Sequence, residues 1–349
     1  DRSLATGANG LPLMGSGDWN DGMNRVGYQG RGESVWLGWF LCDLVAGFAP
    51  IARSRADTQR AVRWETAALG WQASLNENAW DGDWFVRAFF DNGRPLGTHT
   101  NSEARIDLMA QSWAVLSGAT TLQRQQQAMR SVSALLADAS TGLLRLLDPP
   151  LKHSRPDAGY IQAYPPGVRE NGGQYSHAAV WALMAQARLA VLAAPAGSAA
   201  NGDLAWRTFT WISPAHRAAH PTQGARYGIE PYVVAGDVYS QPPYAGQGGW
   251  SWYTGAAAWL HRAALESILG LTQCADRLRF TPCLPEHWPS AALTLRRGGL
   301  AMHFTMVRCD GAAAAALPQM HGATVLAPGQ WLDWPQLDGE VRFVIPLLE

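Results

Sequence analysis

Lysine is almost missing from this chain: of 27 cationic residues, Lys152 alone is lysine and the rest are arginine. We read that as a coding bias rather than a mechanism. Charge of either sign is sparse at 16%, and the net charge of −1 leaves no basic surface for nucleic acid or an anionic membrane. Cysteine is scarce too. Cys42, Cys274, Cys283 and Cys309 stand far apart in no ligand spacing, which excludes a disulfide scaffold and points to thiols in a reducing, cytoplasmic compartment. No His, Asp or Glu cluster has metal-ligand spacing, so neither metal nor cofactor is expected. Long apolar runs are also lacking. The longest, "VWLGWFLCDLVAGFAPIA" (35–52), is interrupted by Gly and Asp and reads as a buried helix, not a signal peptide or membrane segment. A Gly-Lys-Ser/Thr phosphate loop is absent, which removes nucleotide binding. The chain opens "DRSLATGANG" without Met, as expected of a piece of a longer protein.

What is abundant is tryptophan, with 17 residues in a chain of 349 that is 47% hydrophobic, enough for one large domain or two ordinary ones. Indole rings fill cores; they also form the flat walls on which pyranose C–H faces stack. Both uses stay open from composition alone.

From about residue 33 to 270 the apolar period is helical. Helices are expected over 33–51, 57–76, 104–116, 121–137, 177–192, 203–212 and 255–269, with a cap at Asp57 and a short hairpin in 78–97 closed at Asp91-Asn92-Gly93. A Pro-rich loop, 146–173, is long enough to suggest function. After about 274 the texture changes to short alternating segments: "RLRFTPCLP", "AALTLRRGG", "AMHFTMVR" and "VRFVIPLLE". Paired helices with chemistry in their loops suggest an α/α toroid with a β appendix.

Three stretches carry candidate chemistry. In "MGSGDWNDGMNRVGYQGRGES" (14–34), Asp18-Trp19-Asn20-Asp21 either builds a turn ahead of a helix or presents a general acid. Such an acid needs burial or a neighbouring charge to stay protonated; Asp18 and Trp19 would supply them. In "ENGGQYSHAAVWALMAQARL" (170–189), Ser176 is a plausible N-cap. His177 then falls in the first helical turn, as a capping or core residue or as a donor to an anion. In "GQGGWSWYTGAAAWLHRAALESILG" (246–270), Thr254 and Gly255 start a helix with small residues. That is ordinary capping or a phosphate cradle. No further carboxylate is obligatory as a base, and none is needed if phosphate itself attacks.

"GSGDWNDGMNRVG", "GRGESVWL", "YPPGVRENGGQYSHAAVWALM", "IEPYVVAGDVYS" and "GGWSWYTGAAAW" occur in one order from residue 11 to about 290. They closely resemble the inverting glycoside phosphorylases of glycoside hydrolase family 94, which include cellobiose and chitobiose phosphorylases. The nearest likeness is to the C-terminal phosphorylase-like domain of cyclic β-1,2-glucan synthases. The resemblance implies a mainly α fold: part of an (α/α)6 barrel over 1–272, followed by a small β-sandwich-like domain over 273–349. It implies a glycoside phosphorylase acting on β-linked glucan, with Asp21 as general acid and His177, Thr254 and Gly255 holding phosphate. Asp18, Trp19, Asn20 and Glu170 would meet the sugar, and an α-glycosyl phosphate would leave. Partners would be a β-glucan oligosaccharide, inorganic phosphate as co-substrate, and the missing N-terminal part of a parent anchored in the inner membrane. Two departures stand out. Glu230-Pro231-Tyr232 leads to Gly236-Asp237 where cellobiose phosphorylases carry Gln. The family's barrel also begins before the acid motif and contributes a phosphate-binding Arg from there, so the piece is expected to be inactive alone. The alternatives are a glucan-holding module, or an inverting hydrolase with Glu33 or Glu170 as base.

Overall fold

Ser34 opens the first long helix. Its extended backbone pairs Glu33–Ser34 with the short strand Ala88–Phe89, and its hydroxyl accepts the Leu37 N–H. The 33–51 helix therefore starts two residues later than its apolar run, as α1 (Val35–Ser54). Asp57 caps α2 (Thr58–Asn78) through the Arg60 N–H, as expected. The segment 78–97 forms the hairpin, with Ala88–Phe89 paired to Pro95–Leu96 and Gly93 at φ +80 in the turn. α3 begins at Leu108 rather than 104, because Ala104 is held at φ +47 and Asp107 takes the Met109 and Ala110 N–H groups. It runs to Ser117, and α4 follows (Leu122–Leu135).

The helices that follow are α5 (Ser176–Ala193), α6 (Asp203–Ile212), α7 (Pro214–Arg217), α8 (Pro221–Tyr227) and α9 (Ala256–Arg262), with two short ones, α10 (Gly311–Ala314) and α11 (Leu317–His321), later in the chain. The expected single helix at 255–269 is thus α-helical only to Arg262 and continues as a π-helical turn, Ala263–Ile268. This computed structural model describes residues 1–195, 198–334 and 339–348. Among the described residues α1 alone is long and apolar enough to cross a membrane by length and composition. It buries Val35, Trp36, Gly38, Trp39, Ala49 and Ala52 and packs against α2 and α3.

The chain divides into two compact units, 1–185 with 210–257 and 186–209 with 258–349. This differs from a break at 272/273, because two helical segments join the β-rich part. In the first unit, Met14, Met23, Val26, Phe90, Leu96, Leu147, Leu151 and Ile161 form a core under the 14–34 loop. Each such side chain contributes about 1.5–3 kcal/mol by leaving water. A second aromatic cluster joins Trp36, Trp113 and Trp181, with Trp113 and Trp181 edge to face at 5.3 Å. For these indoles, and for Trp39, Trp71 and Trp84, core filling is the use made of them.

The second unit holds the β appendix. Ser290–Arg297 pairs antiparallel with Leu300–Cys309, which pairs in parallel with Gly339–Leu348; Thr324–Val325 completes that sheet. A smaller sheet joins Leu271–Cys274, Arg277–Phe280 and Leu332–Asp333. Alternation along Leu300–Cys309 buries Leu300, Met302, Phe304 and Met306. Phe304 meets Phe280 of the smaller sheet at 4.6 Å and Phe343 at 5.1 Å. Glu349, the last residue of the expected final strand, lies outside the described residues.

Candidate active site

The acid loop is clamped from below. Arg87 is fully buried and grips Asp18 through two parallel bonds, both 2.7 Å. Asp18 also accepts the Ser34 hydroxyl at 2.6 Å and the Asn20 N–H at 2.9 Å. Burial pushes its carboxyl up, but Arg87, Ser34 and Asn20 outweigh that and hold it below the ordinary aspartate range. The expectation that Asp18 meets sugar, or pushes on Asp21, is therefore corrected. Its charge is neutralised and its side chain is fully enclosed, so it anchors the loop. Asn20 is likewise buried, and its Oδ1 takes the Gly22 N–H to shape the turn Asp21–Met23. Its Nδ2 is buried without a hydrogen-bond partner among the described residues.

That turn leaves Asp21 at the surface. The Pro-rich loop supplies its neighbours. Tyr160, on the short helical turn Tyr160–Ala163, lies beside the Asp21 carboxylate, and burial together with that negative neighbour pushes its phenol up to about 12. Glu170 is raised by burial, with the negative charges of Asp21 and Asp237 adding to the push. Its Oε2 is buried and finds no hydrogen-bond partner among the described residues. Glu33, the other carboxylate considered as a base, is consumed structurally. It accepts the Asn9 and Leu11 N–H groups and the Asn9 amide, pinning the N-terminal loop.

Trp19 connects this loop to α5. Its ring stands edge to face against Tyr175 at 5.0 Å and His177 at 5.5 Å, and tilts over Trp181 at 5.6 Å. Burial among these rings lowers the His177 imidazole to about 4, so near neutral pH it is an uncharged donor. His177, Thr254 and Gly255 line one cavity of about 480 Å³, together with Arg169, Tyr175, Gly236, Asp237, Trp250, Trp252 and Tyr253. Thr254 Oγ1 takes the Ala256 N–H at 3.0 Å, which leaves the hydroxyl proton for another acceptor. Space is open over Gly255, where an added Cβ would touch nothing within 4 Å. Asp21 lies outside that lining, coupled to it through Glu170 and Trp19.

Arg169 and Asp237 are among the lining residues that escaped the sequence reading. Arg169 sits at φ +50 with its guanidinium over Trp250 at 4.1 Å, and its N–H goes to Asp237 Oδ2 at 2.8 Å. Asp237 is raised by burial, opposed by its bonds to the Arg169 and Trp250 backbone. Gly249 permits that approach, since a Cβ there would fall 2.1 Å from Asp237 Oδ1. Only the Gly236-Asp237 departure hinted at this pair.

Residues 1–270 match the family model described as glycosyl hydrolase 94 superfamily, catalytic domain. The chain belongs to the glycosyl hydrolase 94 superfamily. Within that family it is 46% identical over 303 residues to the cyclic β-(1,2)-glucan synthase NdvB of Rhizobium meliloti, covering 87% of this chain and 10% of the synthase. It is 34% identical over 290 residues to a solabiose phosphorylase of Paenibacillus borealis, covering 82% of this chain and 36% of that enzyme. The chain thus spans about a tenth of the synthase and about a third of the phosphorylase. A solved sialidase structure matches 84% of this chain and 25% of its own, with a TM-score of 0.54 at 12% identity, a likeness of fold alone. The sequence resemblance to family 94 is therefore upheld, and the helix-rich first unit accords with a catalytic domain of that superfamily.

Proposed function

We propose that this chain is part of an (α/α)6 barrel that cleaves β-linked glucan, most specifically β-1,2-glucan, by inverting phosphorolysis within a cyclic glucan synthase. The observation carrying this reading is that His177, Thr254 and Gly255 share one cavity, next to the loop that bears Asp21. Phosphate would take hydrogen bonds from the His177 ring and the Thr254 hydroxyl, over the open ground at Gly255, with the Arg169 guanidinium as the nearby positive charge. A phosphate oxygen attacks the anomeric carbon as the glycosidic C–O bond breaks. The Asp21 carboxyl gives its proton to the departing sugar oxygen. Glu170 would meet a sugar hydroxyl, a role supported by its buried oxygen without a partner among the described residues. The β-1,2 linkage rests on the identity to the synthase, and a cytoplasmic setting on four cysteines without a disulfide among the described residues.

Hydrolysis by an inverting mechanism needs a free carboxylate base for water. Glu33 is saturated by hydrogen bonds and does not fit that task; Glu170, raised by burial, is the carboxylate on which a hydrolytic reading would rest. A glucan-holding module is the second reading, favoured by the exposed rings of Trp250, Trp252 and Tyr253. The test is to incubate the full-length parent with linear β-1,2-glucan with and without inorganic phosphate. Phosphate-dependent release of α-glucosyl phosphate is expected; equal sugar release without phosphate overturns the proposal.

A further inference from the structure

The rim of the cavity carries an unusual surface. Tyr232 is 73% exposed, Trp252 71% and Tyr253 74%, with Trp250 and Tyr244 also open. Trp252 and Tyr253 line the cavity itself. The Tyr232 ring meets Trp252 edge to face at 6.2 Å, and Trp250 and Tyr253 meet at a tilt at 5.4 Å. Trp252 is held at φ +64, a region that a bulky side chain avoids unless its surroundings impose it. Its indole N–H is tied to Glu230 Oε1 at 2.8 Å, which fixes the ring edge while the residue stays open to solvent. A second strained non-glycine residue, Arg169 at φ +50, stands on the same cavity wall.

We propose that Tyr232, Trp252 and Tyr253 form a stacking platform for sugar residues of a glucan chain beyond the bond being cleaved, so that the substrate is a chain rather than a disaccharide. Flat rings beside polar groups match the two sides of a pyranose, whose C–H face is apolar and whose edge carries hydroxyls. Two of the three rings, Trp252 and Tyr253, belong to the cavity lining, and Tyr232 touches Trp252, so the platform borders the cavity. The large exposed aliphatic side chains Ile51, Val62 and Leu69 lie instead on α1 and α2. The inference rests on the phosphorolytic reading for its cleavage point but not for its binding surface.

The experiment uses the full-length parent with phosphate and a series of linear β-1,2-gluco-oligosaccharides. The ratio of kcat/KM for the longest to that for the shortest cleaved member is compared in wild type, Tyr232→Ala and the ring-retaining Tyr232→Phe. The ratio should fall about tenfold in the Ala variant and be kept in the Phe variant. An unchanged ratio in Tyr232→Ala, or equal losses for long and short substrates, overturns the platform. A phosphate-free arm measures retardation of the same proteins in gels containing linear β-1,2-glucan. Weaker retardation of the Ala variant only, with no phosphate-dependent turnover in wild type, sustains the platform and sinks the phosphorolytic reading. Equal retardation of all three proteins overturns the platform whatever the reaction.

Discussion

The rings of Trp19 and His177 meet edge to face at 5.5 Å, with an interplanar angle of 81°. Through this contact the loop bearing Asp21 and the helix bearing His177 are registered on one another. Under the proposed function, Trp19→Ala should therefore impair both proton donation and phosphate binding, lowering kcat and raising the KM for phosphate in the parent enzyme. Trp19→Phe keeps an edge for His177 and should recover most of the loss. Truncating so large a packed ring costs about 3–5 kcal/mol where it is fully buried, so thermal denaturation is recorded alongside the kinetics.

Arg87 lies between two buried carboxylates, bidentate to Asp18 and 3.5 Å from Asp107. Arg87→Met leaves both without a counter-charge and should destabilise the fold by about 3–5 kcal/mol in a urea titration. Adding Asp18→Asn removes one orphaned charge, so the double variant should regain part of that loss. Strict additivity of the two changes would show that Arg87 and Asp18 do not depend on one another.

Asp107 carries a pH signature. Burial, only partly offset by Arg87 and two backbone N–H groups, raises it to about 6. Between about pH 4 and pH 6 the folded state retains a proton that the unfolded chain has released. Stability from this group is therefore greatest at the acidic end and declines as pH rises through 6, by about 2–3 kcal/mol. Asp18, lowered by the same arginine, acts in the opposite sense, and its contribution is lost only as pH falls below the ordinary aspartate range. Urea midpoints at pH 4.5 and pH 7 should show Asp107→Asn flattening the difference seen in wild type.

Asp21→Asn in the parent should lower phosphorolysis about 10²- to 10⁴-fold, the usual range for a missing proton donor. Glu170→Gln should act mainly on the KM for glucan, because the proposed function gives Glu170 a sugar hydroxyl and not the attacking group. A hydrolase using Glu170 as base would instead lose kcat at both positions, and initial rates on one glucan separate the cases.

Local signals were legible and long-range pairings were not. The Asp57 cap, α6 and the 91–93 turn follow from neighbouring residues, and the structure keeps them. Of the three chemical stretches, those of His177 and Thr254-Gly255 share a cavity, while Asp21 lies outside its lining. Asp18 read as a possible sugar contact because its partner, Arg87, is distant in the chain and unremarkable in sequence. Glu33 read as a possible base because nothing local shows that the Asn9 and Leu11 amides consume it. Arg169 and Asp237 were missed for the same reason: their pairing depends on a left-handed backbone at 169 and on the missing side chain at Gly249. Burial sorted the tryptophans, leaving Trp250 and Trp252 exposed while Trp113 and Trp181 fill the core.

The most direct measurement compares the KM for phosphate and the KM for glucan in the parent enzyme before and after His177→Ala. Loss of one hydrogen bond to an anionic ligand should weaken phosphate by about 1.5–3 kcal/mol, roughly ten- to a hundredfold, while glucan is nearly unaffected. Equal weakening of both, or of glucan alone, would contradict the placement of phosphate between His177 and Thr254.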